Sequence, residues 1–149
     1  MAFYQSEESI VIQSAPEKIY NALTDWNLRR QWRPGLSLSW DGPDHAQVGQ
    51  VVRFQVAGFP SSRFEYRVSG LEPFQRVYME YTGKPLKGRA AIEIVPEADG
   101  CRVSFYWMKV EASSLAAKLY FASGFGLRTH QLRTRETLRL LKDYLEKAS

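Results

Sequence analysis

Cysteine is nearly absent from this chain: Cys101 stands alone in 149 residues. No internal disulfide can form, which agrees with a reducing compartment, and a lone thiol in an apolar stretch reads as a buried structural group. Histidine is almost as scarce, with His45 in a polar loop and His130 in a helical stretch. A zinc site needs at least three converging protein ligands, and no Cys, His or Asp cluster has that spacing, so no metal is expected. No hydrophobic run approaches the roughly 20 residues of a membrane span. The opening "MAFYQSEESI" has no basic segment leading into an apolar stretch, so no signal peptide is read and a cytoplasmic location is expected. Internal repeats, low-complexity tracts and linkers are also missing. A chain of this length then suits one domain over 1–149.

What is present is an ordinary globular composition, 44% hydrophobic and 24% charged, with a formal charge of +4 that raises the question of an acidic partner. Arg128, Arg135, Arg139 and Lys142 follow helical spacing near the C-terminus, and Arg29, Arg30 and Arg33 form a second group. Such stripes can contact phosphates. Glu136, Asp143 and Glu146 interrupt the first with opposite charge, however, which reads as a solvated face. No nucleic acid and no membrane insertion are expected. With the arginines placed outside any pocket, salt is expected to change ligand affinity only slightly. Gly124-x-Gly126 is followed by Thr129 where a dinucleotide fingerprint needs its third glycine, so no nucleotide and no other cofactor is expected.

The periodicity changes along the chain. Residues 8–13 read as a strand; at Ser14-Ala15-Pro16 the pattern turns helical, with Ser14 as N-cap and Ile19, Tyr20 and Leu23 on one face. A second short helix covers Trp26 to Trp32 and is stopped by Pro34-Gly35. From Leu36 to about Glu111 strand patterns recur between turn signals, implying an antiparallel meander. Val52, Phe54 and Val56 share one face, as do Phe64, Tyr66 and Val68, then Val77, Met79 and Tyr81, then Ala90, Ile92 and Ile94. "RVSFYWMKV" breaks the alternation: Val103, Phe105 and Trp107 are apolar, and so are Tyr106, Met108 and Val110. That strand is either covered on both faces or presents aromatics to a partner. From Ser113 or Ser114 to Lys147 the pattern is helical, with Leu138, Leu141 and Leu145 on one stripe. About 34 residues at about 1.5 Å each would make one helix about 50 Å long. It nevertheless contains Gly124 and Gly126, each costing about 0.8–1 kcal/mol relative to Ala inside a helix.

"VIQSAPEKIYNALTDWNLRRQW" resembles the opening of the START/Bet v 1-like superfamily, in its polyketide cyclase/dehydrase and lipid-transport branch. There a strand runs into an "(A/S)P-x-x-(V/I)-(W/Y/F)-x-x-(L/I)-x-D" helix and then an aromatic. Here those positions are Ser14, Ala15, Pro16, Ile19, Tyr20, Leu23, Asp25, Trp26 and Trp32. "DGPDHAQVGQVVRF" is similar to the loop before the third strand of that family, with Val48-Gly49 near its end. The resemblance implies an α+β helix-grip fold: a curved antiparallel sheet, two short helices, and one long C-terminal helix that encloses a cavity.

A concave sheet closed by a helix leaves a space only where the helix sends small side chains inward. Gly124 and Gly126 therefore either bend the helix and leave room for a ligand, or pack against bulky strand residues such as Trp107 or Met79. On the cavity reading, Gly126→Leu or Gly124→Leu would lower binding of a hydrophobic dye in a folded protein. The ligand-facing set is then Phe54, Tyr66, Met79, Tyr81, Ile92, Trp107, Gly124, Leu127, His130 and Thr134, with Tyr66, Tyr81, Trp107 and Thr134 as polar handles. Trp26, Trp32 and Trp40 read as packing beneath the two short helices. His130 is a weak catalytic candidate, since it alone has an unperturbed pKa suited to acid–base work near neutral pH but lacks a sequence neighbour to orient it. Residues 57–62, "AGFPSS", lie where plant hormone receptors of this superfamily carry a gating loop and read as a lid or a plain hairpin turn. The expected function is binding or carriage of a small hydrophobic or amphipathic molecule by a monomer or weak dimer. A metal-free polyketide cyclase/dehydrase-type enzyme and an interaction module resembling a chaperone activator are the alternatives.

Overall fold

The computed structural model describes residues 2–56 and 63–147. In chain order the elements are β1 (Tyr4–Ile12), α1 (Pro16–Thr24), α2 (Trp26–Trp32), β2 (Leu36–Trp40), β3 (Val51–Val56), β4 (Arg63–Glu72), β5 (Arg76–Tyr81), β6 (Leu86–Glu97), β7 (Gly100–Ala112), α3 (Leu115–Ala122) and α4 (Phe125–Lys147). β1 starts earlier than its apolar residues suggested, because its alternate polar positions face solvent while the backbone still pairs with β7. Pro16 opens α1 at a position whose amide would be unpaired anyway. Ser14 is not the cap; Ala15 holds that position without a side-chain bond. Asp25 caps α2 instead, accepting from the amides of Asn27 and Leu28.

All seven strands form one curved antiparallel sheet in the order β1-β7-β6-β5-β4-β3-β2. The meander runs from β2 to β7, and β1 returns to pair with the outer edge of β7. Period-2 alternation puts Val52, Tyr66, Val68, Val77, Met79, Ala90, Ile92 and Ile94 in the core. The double apolar pattern of β7 has a local cause. Ala90 pairs with Trp107 but its neighbour Arg89 pairs with Lys109, so Met108 is the extra residue of a β-bulge. The inward parity changes there: Val103 and Trp107 are buried before the bulge, Val110 and Ala112 after it, and Met108 is exposed. Tyr106 faces outward and donates to Glu93 at 2.9 Å.

The C-terminal segment is two helices, not one. Ser114 caps α3 by accepting from the Ala117 amide. At Gly124 the chain adopts φ +87°, a left-handed conformation that glycine takes without the steric cost other residues incur. The Gly124 amide donates to the Phe121 carbonyl, ending α3, and the Gly124 carbonyl accepts from Arg128 in the first turn of α4. α4 then packs against β1, α1, α2 and α3. Its stripe of Leu138, Leu141 and Leu145 joins Ile12, Ile19, Leu23, Trp26 and the sheet interior in one core. Cys101 is buried in that core. No helix among the described residues is long and apolar enough to cross a membrane.

Candidate functional site

The inward side chains of α4 change size along the helix, and that change makes the site. In its second half leucines reach the sheet. In its first half the inward residues are Gly126, Thr129, His130, Arg133, Thr134 and Thr137, and a cavity of about 610 Å³ lies between them and the inner face of β2 to β7. Leu36, Leu38, Phe54, Phe64, Tyr66, Tyr81, Phe105 and Trp107 form the sheet wall; Ala116, Ala117, Tyr120 and Phe121 of α3 close one side.

The wall is a chain of rings. Phe54 stacks on Phe64 with centroids 5.0 Å apart and meets Tyr66 at 6.0 Å. Tyr66 and Tyr81 are edge-on at 6.2 Å, as are Tyr81 and Trp107. His130 lies flat on Trp107 from the helix side, 3.6 Å between centroids and 19° between planes. Aromatic pairs in these geometries hold one another in place, so the wall is preformed.

Its polar atoms are few and mostly donors. Arg29 donates to the Tyr66 hydroxyl and Trp107 Nε1 donates to the Tyr81 hydroxyl, each at a long 3.4 Å. Neither hydroxyl's own proton has an acceptor among the described residues. Burial raises both phenols, Tyr81 to about 12, so both are neutral donors at physiological pH. Burial, helped by the charge of Arg133, pushes His130 down to about 3, leaving a neutral imidazole whose ring nitrogens have no hydrogen-bond partner among the described residues. Thr134 lines the cavity, but its hydroxyl proton is used within the helix, donating to the His130 carbonyl at 2.8 Å. A general base works best with a pKa near the operating pH and with its second nitrogen held; His130 has neither property. Among the described residues no three His, Cys, Asp or Glu side chains converge as metal ligands would.

The cavity also contains what sequence reasoning placed elsewhere. Arg29, Arg33, Arg63, Lys84 and Arg133 all line it. The expectation that the arginines lie outside is thereby corrected for Arg29 and Arg33. The signal was available: Arg29 and Arg33 fall at i+3 and i+7 from Trp26, the face of α2 that a buried tryptophan fixes as inward.

The family described as "Polyketide cyclase / dehydrase and lipid transport" matches residues 5–146. The chain belongs to this family. No curated protein matches the sequence. Among solved structures the family fold recurs in KanY, with a TM-score of 0.75 and 16% identity over 98% of this chain and 99% of that one. It recurs also in the Aha1 dimer from Colwellia psychrerythraea, with a TM-score of 0.72, 20% identity and 96% of each chain covered. DynU16, from the dynemicin biosynthetic locus, gives 0.68 and 14%, with 97% of this chain on 48% of that one. At these identities the likeness is one of fold, the helix-grip arrangement.

Of the residues expected to face a ligand, the structure brings Phe54, Tyr66, Tyr81, Trp107, His130 and Thr134 to the cavity. Met79 and Ile92 are instead in the core with Leu138 and Leu141, where the helix side chains are large. Leu127 packs at the core margin and Gly124 is an exposed helix terminus. Trp26 and Trp32 are buried core residues, while Trp40 is only partly buried against that core. The lid read at residues 57–62 falls outside the described residues.

The glycines divide their roles. A Cβ on Gly124 would meet nothing within 4 Å. One on Gly126 would stand 2.7 Å from Phe121 Cγ and 3.0 Å from its Cα, so Gly126 is the point where α3 crosses close to α4. Gly126→Leu is therefore expected to force α3 away, at a cost of about 1–3 kcal/mol as in other overpacked contacts, instead of simply filling the cavity. Urea denaturation checks this; an unchanged midpoint would mean that Phe121 yields freely.

Proposed function

We propose that the protein binds, and thereby carries or sequesters, a small molecule with a largely aromatic or aliphatic body in the cavity between its sheet and α3–α4. The observation that supports this reading most is the pairing of a preformed ring-lined cavity of about 610 Å³ with a set of titratable groups unsuited to proton transfer. That volume is in the range of small-molecule sites. The residue best placed for acid–base work, His130, is held near 3, and the phenols are held neutral. Family membership fits binding and cyclisation alike; the chemistry of these side chains favours binding.

The test uses the methyl ester of pyrenebutyrate, a neutral fluorescent probe small enough for the cavity. Saturable binding is expected, with energy transfer or quenching involving Trp107. Thr134→Phe places a ring where the buried Thr134 now faces the cavity, and is expected to weaken the ester by more than about tenfold while thermal melting stays cooperative. No saturable binding, or an unchanged affinity in a folded variant, would remove the cavity from the function. Conversion of a polyketone by the native protein, lost in His130→Phe, would instead favour the cyclase reading.

A further inference from the structure

Among the described residues, arginines on the outer surface are matched with carboxylates: Arg53 with Asp41 and Glu65, Arg67 with Glu80, Arg76 with Glu72 and Glu93, Arg102 with Glu97, Arg135 with Glu8 and Arg139 with Asp143. The cavity is built the other way. Among the described residues that line it, five are cationic and none is Asp or Glu. Arg33 is 8% exposed, and its recorded bond is to a neutral oxygen, Thr137 Oγ1 at 3.1 Å. Among the described residues the Arg29 guanidinium makes one long hydrogen bond, to the Tyr66 hydroxyl, and lies 6.0 Å from the Trp26 ring centroid, while its Nε is buried with no hydrogen-bond partner. These groups are also near one another. Burial chiefly lowers Arg33, and the charges of Arg29 and Arg133 lower it further, against an opposing pull from Glu136, an exposed residue outside the cavity lining.

Holding like charges together inside a fold, short of carboxylates, is costly unless a partner compensates. A guanidinium is a planar fork of donors that matches a carboxylate in two parallel bonds. The Tyr66 hydroxyl sits beside Arg29 with its own proton available, and the ring wall of Phe54, Tyr66, Tyr81 and Trp107 leads away from that point.

We propose that the ligand is an amphipathic carboxylate, its acid group seated by Arg29 and Arg33 with the Tyr66 hydroxyl, and its apolar body laid along the ring wall. This rests on the binding reading above and adds the charge and the polarity of entry. It also reverses the expectation of salt independence: neutralising two fixed cations makes affinity for the acid fall as salt rises.

The experiment compares pyrenebutyrate with its methyl ester, which share a body and differ in charge. The native protein is expected to bind the acid at least about tenfold more tightly at low salt, and to lose that preference as sodium chloride is raised, while the ester changes little. Arg29→Gln and Arg33→Gln are each expected to reduce the preference by about tenfold or more, with ester affinity altered by less than about threefold. Arg33 braces Thr137, so if Arg33→Gln does not fold, Arg29→Gln decides alone. Equal affinity for acid and ester, or a preference that survives loss of the arginines because the acid binds elsewhere on the cationic surface, overturns the proposal and leaves cavity binding standing. Failure of both the acid and the ester to bind overturns both.

Discussion

Between pH 7 and pH 5 the native protein is expected to lose about 2 kcal/mol of stability through a single residue, and His130→Phe to lose almost none of it. His130 titrates at about 3 in the folded chain against an ordinary 6.5. The folded pKa is the lower one, so between those values the unfolded chain binds a proton that the folded chain refuses. Stability from this group is full above about 6.5 and falls as pH drops toward 3. Burial is the larger cause and Arg133 the smaller. The window above pH 5 isolates the residue. Asp41, Glu72 and Glu146 are held below ordinary carboxylate values by hydrogen bonds from Arg53, Tyr78 and the Gln13 amide, so their contribution is lost only as pH falls through and below 3.8–4.5. Phenylalanine keeps a ring on Trp107 and removes the proton. Urea denaturation of both proteins at pH 7, 6 and 5 gives the comparison. Parallel curves would show that the imidazole accepts a proton in place, and acid–base catalysis by His130 would become credible again.

The architecture was legible because its signals are local and repeat. Pro16 and Pro34 bound the two short helices, and one face of each strand is apolar, so the order of elements up to β7 follows from spacing, while the helix-grip arrangement was what the family resemblance implied. What escaped depends on features that composition does not mark. A bulge at Met108 is one residue of register, and it turns an apparent two-faced strand into an ordinary one. The break at Gly124 hides inside a helical periodicity that the sequence carries through both helices. In the site, Phe54, Tyr66, Tyr81 and Trp107 were found, while Phe64, Phe105, Tyr120, Phe121 and the cationic members were not. Arginine on a short helix is usually solvated, and only the burial of Trp26 and Trp32, 1% and 3% exposed, fixes which face of α2 turns inward. Met79 and Ile92 were placed by parity, which gives the face of a strand but not how far along the helix the leucines begin.

The position of α2, and with it of Arg29 and Arg33, depends on a residue that no motif singles out. Gln50 is 8% exposed and its side chain makes four hydrogen bonds among the described residues. Its Oε1 accepts from Trp26 Nε1 at 3.0 Å and from the Gln47 amide at 3.2 Å. Its Nε2 donates to the carbonyls of Asp41 and Pro43, both at 2.8 Å. Trp26 is the first residue of α2, and its backbone amide is held in turn by the Asp44 carbonyl. Gln50 therefore fastens the loop before β3 to the start of the helix that carries the cavity arginines. Gln50→Leu keeps the volume but strands the indole N–H in the core, at about 1–3 kcal/mol, and forfeits further bonds of about 1 kcal/mol each. A total near 3 kcal/mol is expected, about 10 °C in Tm for a chain of this size. Trp26→Phe removes the stranded donor, so in the double variant the second substitution should cost clearly less than it does alone. The preference for pyrenebutyrate over its ester should also shrink in Gln50→Leu, since α2 would no longer hold Arg29 and Arg33 at a fixed distance from Tyr66. Thermal melts of the four proteins and the two probe titrations measure both effects; strictly additive losses, or a Tm within about 2 °C of native, would show that water takes over the role of Gln50 and that α2 is positioned by its packing alone.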